Sequence, residues 1–472
     1  MNRRKFFTNG SLAAIGSTII NPFSANANTL DFDILNKNKK AKNIIFMVSD
    51  GMSSGTLNMA DVFLNRKNGV GSNWMQLYKD NVVSRALMET SSANSIVTDS
   101  AAGGSAWGTG FKVNNGSICT GVNGEKYLPI LQKFKQKGKA VGVVTTVAIT
   151  HATPSSFCVN NDSRNGQSDI AEKYLDINFD LFLGGGDKYF NPFKRKDKRD
   201  LYADFEKKGY NIIKNRDEML ANDSKKPILG IFADDDLPYS IDRLNDAEKL
   251  KSSPSLAEMT KTAINQLKNN DKGFVIQIEA GKVDWGAHAN DVAALIYDQI
   301  AFDEAIKVAI DFAKKDQETL VIITTDHGNG NPGIIYGKKA NDNFDSIQKY
   351  KKTNEWLLNQ IKSDDTISKV QELIIFVNGK AVSDDNAKFI LSFYNGLHEK
   401  EGGLYNYKKL PFQAYANIQK ESNSVGWISE EHSSDFVELA MFGPGSELLK
   451  PFVVNTDLHY LMLQAAEIEN KF

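Results

Sequence analysis

Four of the six histidines lie in segments whose residue types could bind metal ions or catalyse a reaction. They are His151, His288, His327 and His432. A lone histidine is more often a hydrogen-bonded polar residue than a ligand, but four such segments in one chain favour a functional role. Imidazole and carboxylate groups together are ligands that zinc takes in proteins. The pattern therefore indicates a metal site.

The strongest of these segments follows an apolar run and combines two carboxylates with a histidine. Glu279, Asp284 and His288 are spaced five and four residues apart, and Trp285 lies between the last two. If Asp284 and His288 belong to a helix, the four-residue spacing places both side chains on one face. The segment therefore predicts a zinc-binding pair.

Two more acidic motifs stand at the ends of apolar runs, each followed by a glycine. Asp50 follows Asn43–Ser49, and Asp326 with His327 follows Val321–Thr325. In open α/β sheets the active site lies beyond the carboxyl ends of strands. An Asp–Gly pair is also common in ordinary turns, so the first motif is weak when taken alone. In the second, the glycine permits a sharp turn that would bring both side chains to one ion.

Ser100 follows Asp99 and precedes a run of small residues that predicts a tightly packed helix start. The backbone N–H groups and the positive end of the helix dipole would favour an oxyanion and a phosphoryl group there. The alternative is a helix-capping serine without chemistry, which is the better interpretation of this segment alone.

Polar loops supply the remaining candidate residues. Thr153 follows His151 closely, and its hydroxyl could bind a hard metal ion. The planar guanidinium of Arg164 could hold two phosphate oxygens. The alternative is a capped loop with a surface arginine. His432 lies in another polar loop, directly before an apolar run.

Short apolar runs with little alternation separate these motifs and predict strands that are buried on both faces. Helical patterns lie between them, and the clearest is an apolar stripe from Val292 to Ala313. Strands that alternate with helices predict an α/β fold with a central, mostly parallel sheet flanked by helices. The predicted strands are Asn43–Ser49, Ala140–Thr146, Phe179–Leu183, Phe274–Ile278, Val321–Thr325 and Phe436–Phe442.

The segment of about residues 330–426 differs from its surroundings, because it is polar and rich in lysine and asparagine. It predicts an inserted lid- or crown-like subdomain, with helical stretches near Ser346–Ile361 and Asp384–Phe393. Residues 28–472 would then form one catalytic domain that carries this insertion.

Composition excludes several classes of protein. The 472-residue chain has 41% hydrophobic residues and a formal net charge of -2, which is ordinary for a soluble globular protein and argues against a basic surface for nucleic acid. No segment is apolar and long enough to cross a membrane. Cys119 and Cys158 could pair in an oxidising compartment or could both be free and buried.

Residues 1–27 predict a cleavable export signal. Arg3, Arg4 and Lys5 precede a short apolar run, and Ala27 ends an A-x-A motif. The arginine pair also resembles a twin-arginine signal, and the alternative is a general secretory signal that happens to contain two arginines. We therefore expect a periplasmic or extracellular protein.

Taken together and in this order, the motifs closely resemble the alkaline phosphatase family from Asn43 to about Gly445, except in the insertion. The Asp–Ser–Ala sequence at Ser100 resembles the family's nucleophile motif. The resemblance implies an alkaline phosphatase-like three-layer sandwich and hydrolysis of phosphate monoesters through a phosphoserine intermediate at Ser100. Arg164 would hold the phosphoryl oxygens.

The resemblance also implies two zinc ions and one magnesium ion. The implied ligands are Asp284, His288 and His432 for the first zinc, Asp50, Asp326 and His327 for the second, and Asp50, Thr153 and Glu279 for the magnesium. His151 and Trp285 stand where some family members carry Asp and Lys. A histidine there would add a nitrogen donor, so zinc or cobalt would compete with magnesium at the third site.

Two alternatives to this function remain at the level of the sequence. A phosphodiesterase or sulfatase of the same superfamily resembles the chain at the metal dyads but generally lacks Thr153 and Glu279. A catalytically silent metal- or phosphate-binding protein should have lost a ligand or the nucleophile. We expect small-molecule phosphate monoesters as substrates, no nucleic acid as a dedicated partner, and a homodimer.

Overall fold

Ten strands form one sheet in the computed structural model, which describes residues 40–399 and 404–471. Four shorter strands form two small antiparallel pairs, β9 with β12 and β10 with β11. In chain order the strands are β1 (Asn43–Ser49), β2 (Ser84–Glu89), β3 (Ala140–Ala148), β4 (Leu181–Gly185), β5 (Asn211–Ile213), β6 (Ile228–Ile231), β7 (Phe274–Ala280), β8 (Thr319–Thr324), β9 (Gly328–Asn329), β10 (Gly333–Ile334), β11 (Val425–Gly426), β12 (His432–Ser433), β13 (Val437–Phe442) and β14 (Phe452–Val454).

The order across the large sheet is β14-β2-β13-β8-β1-β7-β3-β4-β6-β5. Neighbouring strands run parallel except at β13, which is antiparallel to both β8 and β2. Every residue of β1, β3 and β7 is buried, as expected for strands with helices on both faces. The predicted fold class, a central and mostly parallel sheet flanked by helices, is confirmed.

The helices cover both faces of this sheet and carry several of the candidate site residues. In chain order they are α1 (Ser54–Asn68), α2 (Asn73–Lys79), α3 (Ser100–Thr109), α4 (Ile130–Gln136), α5 (Ala152–Ser155), α6 (Gln167–Ile177), α7 (Leu201–Lys207), α8 (Arg216–Ala221), α9 (Ser240–Leu244), α10 (Ala247–Ser252), α11 (Leu256–Leu267), α12 (Lys282–His288), α13 (Val292–Asp316), α14 (Ala340–Ser346), α15 (Asn354–Gln360), α16 (Ile367–Asn378), α17 (Asp384–Ser392), α18 (Phe412–Asn423) and α19 (Asp457–Ala465). Short 3₁₀ helices span Asp187–Tyr189, Ile347–Lys349, Tyr407–Lys409 and Ser446–Leu448.

All six predicted strands are present, although several of their ends are shifted. The predicted strand Phe179–Leu183, for example, is Leu181–Gly185 in the structure. The sequence analysis missed β2, whose residues alternate between exposed and buried and therefore form no apolar run. It also missed β5, β6 and β14, which have three or four residues each.

Residues 330–426 contain α14 to α18 and all members but Ala289 of a second hydrophobic cluster, which includes Leu357, Ile374 and Tyr394. The predicted helical stretch near Ser346–Ile361 is interrupted, because Thr353 begins a new helix by accepting the N–H of Trp356. The stretch predicted at Asp384–Phe393 corresponds to α17. The interpretation of this segment as an inserted subdomain stays a prediction.

The structure decides between the two alternatives for the cysteines. Cys119 and Cys158 are free, buried thiols. Their Sγ atoms donate to the carbonyl oxygens of Ser156 and Pro154, beside α5. Within residues 40–399 and 404–471, no helix has the length and apolar character needed to cross a membrane. The predicted signal at residues 1–27 lies outside the described residues.

Candidate active site

Three acidic side chains meet where neighbouring parallel strands end. Asp50 follows β1 directly, Glu279 lies at the end of β7, and Asp326 follows β8. Strand β1 lies between β7 and β8, and Val48 is in register with both Glu279 and Thr324. Because the carboxyl ends of parallel strands share one edge of the sheet, residues far apart in sequence converge there.

A first group of ligand-type atoms is formed by Asp284, His288 and His432. Helix α12 places Asp284 and His288 one turn apart, with Asp284 Oδ2 3.3 Å from His288 Nε2. Strand β12 brings in His432, whose Nε2 lies 3.6 Å from Asp284 Oδ1 and 3.1 Å from His288 Nε2. The structure therefore brings together all three residues implied for the first zinc.

The three histidines nearest to this centre have the same orientation, with Nδ1 beside a backbone carbonyl. The pairs are His288 with Glu430 (2.6 Å), His432 with Thr98 (3.0 Å) and His327 with Gly328 (3.2 Å). A carbonyl only accepts hydrogen bonds, so Nδ1 of each neutral ring carries the proton and the lone pair of Nε2 points into the site. This is the arrangement of metal-binding histidines.

The Nε2 atoms of His288 and His432 lie 3.1 Å apart, so their lone pairs face each other. Burial lowers the pKa of His288, but the charge and hydrogen bond of Asp284 outweigh burial and raise this pKa to about 9. The raised pKa shows that Asp284 favours a positive charge at His288 Nε2. A metal cation bound there would supply that charge, which is how this donor set fits a metal ion.

A second group consists of Asp50, Asp284 and His327, with ligand atoms within 4.8 Å of one another. Asp326, implied as a ligand of the second zinc, faces the same group. Its buried Oδ2 lies 3.2 Å from His327 Nε2 and has no hydrogen-bond partner among the described residues. Its Oδ1 accepts the N–H of Gly51 at 3.0 Å. Asp284 thus belongs to both the first and the second group.

The third group consists of Asp50, His151 and Glu279. Thr153 joins it, because its Oγ1 donates to Asp50 Oδ2 at 3.3 Å. Glu279 Oε2 accepts a hydrogen bond from Thr145, whereas Glu279 Oε1 is buried and finds no hydrogen-bond partner in the described part of the chain. An unpartnered, buried carboxylate oxygen suits a cation.

Four buried carboxyl groups therefore occupy one small region: Asp50, Glu279, Asp284 and Asp326. Burial raises the pKa of Glu279 to about 8 and that of Asp326 to about 6. Burial and the charges of the neighbouring carboxylates raise the pKa of Asp50 well above its ordinary value. Such a cluster is stable in its ionised form only if cations offset the charge. The donor set therefore fits divalent metal ions.

Ser100 is the first residue of α3 and is 1% exposed. Its Oγ lies 3.4 Å from His327 Nε2 and 3.5 Å from Asp50 Oδ1, beside the second group. The capping alternative for Ser100 is wrong, because Asp99 caps the helix by accepting the N–H of Ala102 at 2.9 Å. The serine hydroxyl is thus free for chemistry at the positive end of α3.

Arg164 is oriented by Asp99, the residue that precedes Ser100. Its Nη1 donates to Asp99 Oδ2 at 2.9 Å, and its Nη2 lies 3.4 Å from His151 Nε2. Burial and the charge of Arg164 lower the pKa of His151 to about 3, so this ring is neutral. A neutral imidazole has one lone pair. His151 therefore cannot accept a hydrogen bond from Arg164 and bind an ion at the same time.

Sequence reasoning missed two residues that orient the site. Asp99 both caps α3 and holds Arg164; its place just before a helix start was the available signal. Asn329 Nδ2 donates to Asp284 Oδ1 at 2.7 Å, and nothing in the sequence pattern pointed to it. Trp285 is half-buried, and its ring centroid lies 6.4 Å from that of His151.

Comparison with known proteins agrees with this geometry. The family model "Alkaline phosphatase" matches residues 41–468. The protein is similar to "Alkaline phosphatase 4" of Bacillus subtilis (strain 168), with 32% identity over 423 residues that cover 88% of this chain and 87% of the relative.

Two crystal structures are similar along almost the whole chain. Thermus thermophilus alkaline phosphatase superposes with a TM-score of 0.84 at 32% identity and covers 92% of both chains. The cold-active alkaline phosphatase of a psychrophilic Shewanella species gives a TM-score of 0.76 at 26% identity, covering 90% of this chain and 99% of the other. With a family match that spans the sheet and every candidate site residue, the chain belongs to the alkaline phosphatase family and is a phosphatase.

Proposed function

We propose that the protein hydrolyses phosphate monoesters through a phosphoserine intermediate at Ser100 and releases inorganic phosphate. The observation that supports this most directly is the position of the Ser100 hydroxyl. It lies beside His327 and Asp50 on one side, at the positive end of a helix, with Arg164 held close by through Asp99. This arrangement suits nucleophilic attack on a phosphoryl group.

We further propose two zinc ions and one magnesium ion. The proposed ligands are Asp284, His288 and His432 for the first zinc, Asp50, Asp326 and His327 for the second, and Asp50, Thr153 and Glu279 for the magnesium. Nitrogen and carboxylate donors suit zinc, and oxygen donors suit magnesium. When bound, the ions would lower the pKa of the attacking hydroxyl and offset charge on the entering and leaving oxygens.

The protein's own residues would act as follows. Ser100 Oγ gives up its proton and forms a bond to phosphorus in line with the ester oxygen. The bond from phosphorus to that ester oxygen breaks, and the ester oxygen takes up a proton and leaves as the alcohol. Arg164 holds two phosphoryl oxygens throughout, and Asp99 keeps the guanidinium in place. A water molecule then attacks the phosphoserine, the bond from phosphorus to Oγ breaks, and phosphate leaves.

Relative rates with three substrates test this function against its alternatives. An aryl phosphate, a phosphate diester and a sulfate ester should be compared on one metal-loaded preparation. We expect the monoester to react fastest, because the third group with Thr153 and Glu279 is present. Faster hydrolysis of the diester or the sulfate would indicate a different member of the superfamily, and no hydrolysis of any of the three would indicate a silent binding protein.

Replacement of Arg164 by alanine tests the phosphate contact. A charge-assisted hydrogen bond contributes about 1.5–3 kcal/mol, so we expect Arg164→Ala to weaken phosphate inhibition roughly 10- to 100-fold and to slow turnover without abolishing it. Arg66 makes a two-point contact with Asp345 elsewhere on the protein and provides the matched control. If phosphate inhibits Arg164→Ala and Arg66→Ala equally strongly, Arg164 does not hold substrate.

Replacement of His151 and Trp285 together tests the identity of the third ion. If His151 directs its lone pair to the ion instead of to Arg164, it adds a nitrogen donor, and zinc or cobalt should compete with magnesium. We expect His151→Asp with Trp285→Lys to shift the site towards magnesium dependence. The new lysine should strengthen phosphate inhibition by up to about fivefold, the size of an exposed ion pair.

Metal reconstitution of stripped wild type and double variant measures both effects. The effects of neighbouring substitutions are rarely additive, so the two single variants serve as controls. Identical metal preference and identical phosphate inhibition in wild type and double variant would show that neither residue tunes this site.

We propose that residues 1–27 direct export to the periplasm or the extracellular space by the twin-arginine route. The receptor for that route reads the arginine pair itself, so Arg3→Lys with Arg4→Lys should block export. Fractionation of cells that express the wild type or the double variant measures export. Normal export of the double variant would indicate a general secretory signal, and N-terminal sequencing of the mature protein should begin at Asn28.

We also propose that the mature chain is a homodimer and that residues 330–426 form a lid- or crown-like insertion in the catalytic domain. The separate hydrophobic cluster of that segment supports the second point. Sedimentation of the purified protein tests whether it is a homodimer.

A further inference from the structure

Lys282, the first residue of α12, is a buried lysine with an uncommon environment. It is 5% exposed, and its Nζ lies 3.8 Å from the ring centroid of Tyr239 and 4.5 Å from that of Trp285. Among the described residues no carboxylate oxygen lies within 4.0 Å of this ammonium. Two aromatic faces are therefore its direct partners, which is a cation–π arrangement in a desolvated place.

Three acidic residues at longer range interact with the charge of this lysine. They are Asp236, Asp298 and Glu355, and the charge of Lys282 lowers the pKa of each against the effect of burial, which raises it.

Trp285 connects this lysine to the phosphate-binding side of the site. Its ring system and the imidazole of His151 form a T-shaped pair, with centroids 6.4 Å apart and an interplanar angle of 68°. His151 Nε2 in turn lies 3.4 Å from Arg164 Nη2. A continuous row of contacts thus runs from Tyr239 through Lys282, Trp285 and His151 to Arg164.

We propose that Lys282 is a positioning residue that fixes the Trp285 ring against His151 and thereby holds His151 and Arg164 in the geometry that binds phosphate. The proposal rests on the proposed function in one respect, namely that Arg164 contacts phosphate. Without the Lys282 ammonium, the Trp285 indole would gain rotational freedom. His151 would then lose its packing against the Trp285 ring. Binding of phosphate would then include the cost of ordering these side chains.

A double-mutant cycle with inorganic phosphate as the probe tests this proposal. The dissociation constant is measured by calorimetry on zinc-loaded Lys282→Met, Trp285→Leu and the protein with both changes. We expect Lys282→Met to weaken phosphate binding about three- to tenfold, below the roughly thirtyfold of a complete loss of a desolvated cation–π contact. In the Trp285→Leu background the same change should have no further effect.

An equal loss in both backgrounds would overturn the proposal, because the lysine would then act through its charge alone. Unchanged phosphate binding in a folded Lys282→Met protein would overturn it as well. Lys282→Arg keeps a cation between the rings and should remain within about twofold of wild type. Lys214 lies 2.8 Å from the ring centroid of Tyr202, away from the site, and Lys214→Met is the matched control.

A second experiment, NMR spectroscopy, observes the Trp285 ring directly. It also covers the case in which Lys282→Met does not fold. The indole N–H signal of Trp285 is identified by its absence in Trp285→Leu and is then followed in Lys282→Gln. We expect that signal to shift or broaden while the signals of the other tryptophans stay in place. An unchanged Trp285 signal would contradict the proposal. Failure of the proposed function would be seen differently, as wild-type protein that hydrolyses no monoester.

Discussion

Ser100→Ala is expected to lower kcat by on the order of 10³-fold or more, because removal of a nucleophile that forms a covalent intermediate leaves only residual catalysis. The zinc and magnesium content should stay at the wild-type level, since the ligand groups consist of carboxylates, imidazoles and the Thr153 hydroxyl. Steady-state rates with an aryl phosphate and metal analysis of the same sample measure the two quantities.

Ser105 provides the matched control for this substitution. It is a buried serine on the same helix, and its Oγ accepts the N–H of Cys119 at 2.8 Å. Ser105→Ala should cost some stability and leave kcat within a fewfold of wild type. Turnover close to wild type in Ser100→Ala would exclude Ser100 as the nucleophile.

Asp284→Asn should have the second-largest effect, because Asp284 is a proposed ligand of the first zinc and also lies in the group with Asp50 and His327. Asparagine keeps the shape and can still accept the hydrogen bond from Asn329, so the change removes mainly the negative charge. Loss of one partner from a buried arrangement of charges costs roughly 3–5 kcal/mol, and zinc affinity should fall about 10²- to 10⁴-fold.

Zinc content after dialysis against a weak chelator measures this loss, and activity should fall with it. Asp298 is the matched control, since it is a buried carboxyl group outside the three ligand groups, with hydrogen bonds from Ser240. Asp298→Asn should retain its zinc. An Asp284→Asn protein that keeps both zinc ions through dialysis would show that Asp284 does not hold zinc.

Much of the fold could be predicted because its central strands are apolar throughout. Strand β1 shows this best: its seven residues are all buried, and the predicted ends agree with the structure. Strand β2 could not be found in this way, since it alternates between exposed and buried residues and takes its place through pairing with β13. The antiparallel direction of β13 is likewise a property of the assembled sheet.

The site residues whose convergence could be predicted from the sequence are those that directly follow a strand. Asp50 and Asp326 each follow an apolar run, and parallel strands bring such positions together. The membership of Asp284 in two groups depends on how α12 packs against the sheet, which spacing within one segment does not reveal. The contact of His151 with Arg164 is also tertiary, although only thirteen residues separate them.

Location of covalent phosphate tests the central proposal most directly. The metal-loaded enzyme is incubated with inorganic phosphate or quenched in acid during turnover of a monoester, digested, and examined by tandem mass spectrometry. We predict phosphate on Ser100 in the wild type and in Ser105→Ala, and none in Ser100→Ala. Phosphate on a different residue, or the same amount of phosphoenzyme in Ser100→Ala, would contradict a phosphoserine mechanism at Ser100.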